Sequence, residues 1–241
     1  MRTLNLMLAL PVCSMLATAG FGAILQRWNF EGADPLHDLK IEGEAPKVIS
    51  DPLNQANHVM ESVLLSTSER AERSEVRWDR IEYGVERWVS VRILVPDRNP
   101  NFRCLFQVGP IKHPTDASSK GFIQLQLPAA GDEWIGRVFL ERIKRPMVRS
   151  GFGPAELGKW ETWVMHFRLA DDDKGFIEIW RGAKKVYAGN GPNARAGDRT
   201  PLKWGIYISI GNRLQQDSRV LYDDIVLGDE HSSYEEVVKR D

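Results

Sequence analysis

The stretch PLKWGIYISI, residues 201–210, alternates apolar and non-apolar residues almost without interruption, the pattern of a strand with one buried and one open face. Leu202, Trp204, Ile206, Ile208 and Ile210 share one face, and Lys203, Gly205, Tyr207 and Ser209 share the other. At ~3.3 Å per residue, Lys203 and Tyr207 stand ~13 Å apart along the strand, and Gly205 between them leaves room for a molecule to lie across the sheet. A phenol and an ammonium on one surface suit an anionic ligand that must gain or lose a proton. A plain solvated sheet face would show the same alternation, so the other strands have to decide.

RSEVRW, residues 73–78, places Arg73, Glu75 and Arg77 together, with Val76 and Trp78 opposite. Two guanidiniums around one carboxylate leave one net positive charge and planar donors that fit a carboxylate ligand; an ion-pair ladder between strands is the alternative. WVSVRILV, residues 88–95, sends Val89, Val91, Ile93 and Val95 into a core. FRCLFQV, residues 102–108, buries Phe102, Cys104, Phe106 and Val108 and leaves Arg103, Leu105 and Gln107 on the opposite face. FIQLQL, residues 122–127, buries Ile123, Leu125 and Leu127 and turns Gln124 and Gln126 away. These faces predict a curved sheet whose concave side is lined by Gln, Arg, Lys and Tyr.

The second half adds WETWVMHFR (160–168), with His166 and Val164 on its non-core face, a return strand FIEIW (176–180), a Gly182-Ala183 hairpin turn and a last strand RVLYDDIVL (219–227). Helical periodicity is confined to the tail, 232–239. Ten or so short strands with turns between them predict an all-β fold, a β-sandwich of jelly-roll type, as a single domain over residues 24–241.

The chain has 241 residues, 42% of them hydrophobic, and its 32 basic and 33 acidic residues leave a formal charge of −1. Nothing in that balance points to nucleic acid, no protein partner is implied, and a monomer is expected. Residues 4–25 carry no charge and contain the Ala17-Thr18-Ala19 cleavage pattern, which predicts a signal peptide over residues 1–23, cut at about 19–23, and a secreted or periplasmic protein. The run is also long enough for an uncleaved anchor. Removal of the leader leaves Cys104 as the sole cysteine, which excludes an intrachain disulfide and a Cys-based metal site. Asp223-Asp224 is read as the end of a strand in preference to a Ca²⁺ site, and no metal or other cofactor is expected.

The order RSEVR, FQV, GKWETWV, GFIEIWRG, LKWGIY, YDDIV resembles the jelly-roll polysaccharide lyases, the heparin lyase I-like and glucuronan lyase families in particular, over roughly residues 28–237. The resemblance implies β-elimination at a uronic acid of an acidic polysaccharide, with no redox or nucleotide cofactor. It assigns Gln107 and Arg73 to neutralising the C6 carboxylate, Tyr207 to protonating O4, and Lys203 to holding substrate; the strand faces add Arg77, Arg103, Gln124 and Gln126 as substrate contacts. One position departs from the family: Gly109 stands where a His is expected, two residues after Gln107. His113, His166 and His58 are the candidates to replace it. Without such a base, Tyr207 alone would carry a syn elimination, favouring a β-linked glucuronate or mannuronate polymer, with Lys203 or the Arg73–Arg77 pair lowering the phenol's pKa. A non-catalytic glycan-binding module, with Trp134, Trp88 and Gln124 as its platform, is the alternative. A glycoside hydrolase would need two facing carboxylates, and none pairs with Glu178.

Overall fold

Alternating side chains bury themselves best when two sheets stack face to face, and the computed structural model is such a sandwich. It describes residues 22–67, 72–109, 123–128, 133–138, 146–196, 200–208 and 214–240. With strands numbered in chain order, one sheet runs β10 (Val148–Pro154), β9 (Glu133–Val138), β8 (Ile123–Leu127), β7 (Arg103–Val108), β14 (Thr200–Tyr207), β5 (Arg73–Ile81) and β2 (Lys40–Gly43). The other runs β13 (Lys184–Asn190), β12 (Phe176–Arg181), β11 (Trp160–Arg168), β6 (Glu86–Leu94), β15 (Ser218–Gly228), β4 (Asn54–Leu64) and β3 (Lys47–Asp51), with β1 (Ile24–Trp28) also paired to β15. All these pairings are antiparallel, and strands distant in sequence lie side by side, as in a jelly roll.

Trp134, Trp163, Trp204, Tyr222, Phe106 and Phe167 fill the space between the sheets and are fully buried. The expected tail helix forms as α1 (Tyr234–Val238), closed by a capping box in which the Ser233 hydroxyl accepts from Glu236 N and the Glu236 carboxylate accepts from Ser233 N. Among the described residues no helix is long and apolar enough to cross a membrane. The leader and its cleavage site lie outside the described residues.

One irregularity reverses part of the sequence reading. The pairing of β7 slips between Cys104 and Phe106 against both β8 and β14, a bulge at Leu105. Leu105 therefore joins Phe106 and Val108 in the core, whereas Cys104 turns to the outer face opposite Tyr207 and Gln126. Arg103, expected on the open face as a substrate ligand, instead lies across from core residue Leu127 and is buried. On β14 the matching slip falls between Trp204 and Tyr207, where Gly205 adopts φ +131°. The hydroxyl of Tyr222 crosses the core from β15 and lies 2.8 Å from the carbonyls of both Leu105 and Gly205, so one phenol ties the two bulges together.

Candidate active site

Cross-strand pairing lines up side chains from distant parts of the sequence on the outer face of the seven-stranded sheet. One row reads Arg149, Arg137, Gln124, Gln107, Lys203, Arg77 and Lys40, contributed by β10, β9, β8, β7, β14, β5 and β2. A second row holds Gln126, Cys104, Tyr207 and Arg73. The alternation of 201–208 is thus realised as expected: Leu202, Trp204, Ile206 and Ile208 are buried in the core, and Lys203 and Tyr207 are half-buried on the outer face.

The side chains form a continuous polar network. Gln126 donates to Gln124, Gln124 Nε2 donates to Gln107 Oε1 at 3.2 Å, and Gln107 Nε2 donates to Glu75 Oε1 at 2.7 Å. Glu75 is 1% exposed and burial pushes its carboxyl above the ordinary range, against the pull of Lys203, Arg73 and Gln107. Arg73 bridges Glu75 at 3.5 Å and Glu42 at 3.0 Å.

Glu42 is the residue that sequence reasoning missed. It sits on the edge strand β2 and accepts from Arg73, from Arg77 and, at 2.8 Å, from Lys203. Burial pushes its carboxyl up, but the Lys203 hydrogen bond and the three cations outweigh that and hold it below its usual value. The expected pair of guanidiniums around Glu75 is therefore a wider cluster in which Arg77 turns to Glu42 and Asp79. A strand of four residues between turns offers too little periodicity to announce this role.

Tyr207 lies beneath the Arg73 guanidinium, which sits 4.6 Å over the centre of its ring. Burial pushes the phenol above its ordinary value; Arg73 offsets part of this, and Cys104, Glu75 and Glu72 add to it. The expected net lowering by Lys203 and the Arg73–Arg77 pair does not occur: burial outweighs the pull of Arg73, while Lys203 and Arg77 pair with Glu42 and, for Arg77, Asp79. In the free protein Tyr207 is a phenol, the protonation state of an acid.

The structure separates two of the three histidine candidates from this face. His166 is on β11 of the other sheet, stacked on Trp88 with ring centres 3.8 Å apart and held by Glu86 at 2.6 Å and Glu178 at 3.3 Å. His58, on β4 of that sheet, pairs with Glu31. His113 lies outside the described residues. The platform imagined for a binding module does not assemble either: Trp134 is in the core with its Nε1 donating to Glu161, and Trp88 belongs to the opposite sheet. Asp223 and Asp224 do not end a strand. They lie within β15 at a bulge, with Asp224 at φ 44°, and both accept from Arg92 Nη1, at 2.8 and 3.2 Å.

No curated protein sequence matches the chain. Among solved structures, an endo-β-1,4-glucuronan lyase from the fungus Trichoderma reesei superposes with a TM-score of 0.71 at 15% identity, covering 89% of this chain and 98% of that one. An alginate lyase from Pseudomonas aeruginosa gives 0.52 at 11% identity, covering 71% and 83%. A carbohydrate esterase from a Shiga toxin-encoding bacteriophage gives 0.59 at 12% identity, covering 88% and 100%, so the likeness by itself identifies the fold and not a reaction. The reaction class comes from the family model described as polysaccharide lyase, which matches residues 38–226 and so takes in Glu42, Arg73, Gln107, Lys203 and Tyr207. With the family model matched over most of this chain and the fold matched independently, the chain belongs to the polysaccharide lyases.

Proposed function

We propose that this lyase acts on a β-linked polymer of glucuronate or mannuronate, outside the cytoplasm, by a syn elimination in which Tyr207 carries the proton. The observation that supports this most is the company Tyr207 keeps. Arg73 covers its ring, Glu75 stands two residues along β5 from Arg73 and accepts from the Gln107 amide, and among the described residues no histidine shares the face.

In glucuronate and mannuronate the C5 hydrogen and O4 leave from one side of the ring, so one group placed there can serve both steps. Arg73 and the second N–H of the Gln107 amide spread the negative charge of the C6 carboxylate, which acidifies C5–H. The ionised Tyr207 oxygen takes that proton, and electrons from the broken C–H bond form the C4=C5 double bond as the C4–O4 bond breaks. The same proton then passes from Tyr207 to O4, leaving the phenolate as it began. Because burial favours the phenol in the free protein, only the fraction that has lost its proton to solvent can begin a turnover, and the rate should climb with pH through the alkaline range.

The test follows the ultraviolet absorbance of the unsaturated uronate on polyglucuronate, polymannuronate and polyguluronate, across pH, for the wild type, Tyr207→Phe and His113→Ala. Turnover on the first two polymers, a rate rising toward alkaline pH, and a loss of ~10²-fold or more in Tyr207→Phe are expected. Preference for polyguluronate, an acid limb near the ordinary His value of ~6.5, or loss of activity in His113→Ala would replace it with a two-sided mechanism.

A further inference from the structure

We propose that Arg137 and Arg149 form a second anion site on the outer face of the seven-stranded sheet, which holds the carboxylate of a uronate two sugars away from the one seated at Gln107. The proposal rests on the uronate-polymer reading above and adds to it a direction and an anchor. Arg149 pairs with Arg137, Arg137 with Gln124, and Gln124 with Gln107, so the two arginines continue the row of the site across the sheet.

Charge sets this end of the row apart. Lys203, Arg77, Arg73 and Lys40 are all engaged by Glu42, Glu75 or Asp79. Neither Arg137 nor Arg149 is paired with a carboxylate among the described residues, and Glu133, on the same strand as Arg137, has its carboxylate where a side chain on Gly151 would go. The pair is also uncomfortable as it stands. Burial and the neighbouring Arg149 push the Arg137 guanidinium down from its ordinary value, and its buried Nε has no hydrogen-bond partner. An anion placed between two such guanidiniums relieves the repulsion and supplies the missing acceptor.

Spacing selects which anion. Arg137 on β9 is two strands from Gln107 on β7, or ~9.6 Å across the sheet. An extended β-1,4-linked pyranose advances its chain by about one strand spacing, and the twofold alternation of such a chain returns every second carboxylate to the same side. A polymer lying across the strands with one carboxylate at Gln107 therefore brings another to Arg137, with Arg149 one strand further on.

Binding of oligoglucuronates of two to six sugars is to be measured by calorimetry on the Tyr207→Phe protein, alone and combined with Arg137→Gln, Arg149→Gln or both. Carboxyl-reduced oligomers and a sulfated β-glucan oligomer of matched length serve as the other ligands. Affinity is expected to step up once the oligomer is long enough to reach Arg137, and the double variant should remove that step, weakening the longer oligomers by roughly tenfold or more while leaving the shortest unchanged. Reduced oligomers should be insensitive to both substitutions. Equal binding of all lengths by parent and double variant, with thermal unfolding unaltered, overturns the proposal. So does a parent preference for the sulfated oligomer that the double variant loses, which would assign the pair to sulfate esters. Wild-type protein that forms no unsaturated ends from any uronate polymer would defeat the substrate reading separately, since the length series reads binding without turnover.

Discussion

At Gly205 the backbone of one strand presses into another. A Cβ built there would stand 2.2 Å from the Ser74 carbonyl oxygen and 2.6 Å from Glu75 Cα, and the residue adopts φ +131°, where side chains are strained. The alternation of 201–210 marks Gly205 as open floor for a ligand. The floor is in fact filled by β5, and the absent side chain admits protein backbone instead. Gly205→Ala is expected to lower stability by more than ~2 kcal/mol in a denaturant titration, and a change of only a few tenths would show that β5 gives way. Lys203 and Tyr207 were legible because each reports its face through its own neighbours. Glu42 was not, because its meaning depends on Arg73, Arg77 and Lys203, on strands far from it in sequence, and pairing across strands leaves no local mark.

At the scale of elements, the bulge at Leu105 decides which side chains of β7 reach the outer face. Residues 102–108 alternate except at Leu105, an apolar residue on the polar face, and that single exception is too little to announce the slip that turns Cys104 to the outer face and Arg103 away from it. What holds the slip is the Tyr222 hydroxyl, shared between the Leu105 and Gly205 carbonyls. Tyr222→Phe leaves the ring packing intact and strands those carbonyls in the core, at a cost of about 1–2 kcal/mol. Because Gly205 and Tyr207 lie on the same strand two residues apart, the variant should also lower kcat severalfold with KM little changed. An unaltered kcat at reduced stability would confine Tyr222 to packing. The jelly-roll frame itself needed no such detail: it followed from strand count, turn spacing and the order of motifs.

For the whole molecule, the back of the sandwich sets an acid dependence of its own. Burial, followed by the adjacent Asp224, pushes the Asp223 carboxyl up to about 6 from 3.8, against the opposing pull of Asn57 and Arg92. Between those values the folded protein holds a proton that the unfolded chain releases, so this group lowers stability as pH rises through the window. A rise from 3.8 to about 6 corresponds to about 3 kcal/mol. Asp223→Asn should remove that dependence, so wild type is expected to lose stability relative to the variant between pH 4 and 6; parallel melting curves across that range would show the carboxyl to titrate normally. Tyr222 and Asp223 are consecutive on β15, one reaching through the core to the backbone of the site sheet and the other to the Arg92 network on the far side. A slip of β15 by a single position would exchange their sides and empty both places together. Its register acts as one bolt through both plates of the sandwich, so loss of turnover and loss of the back-face ion cluster should coincide in a single transition on unfolding.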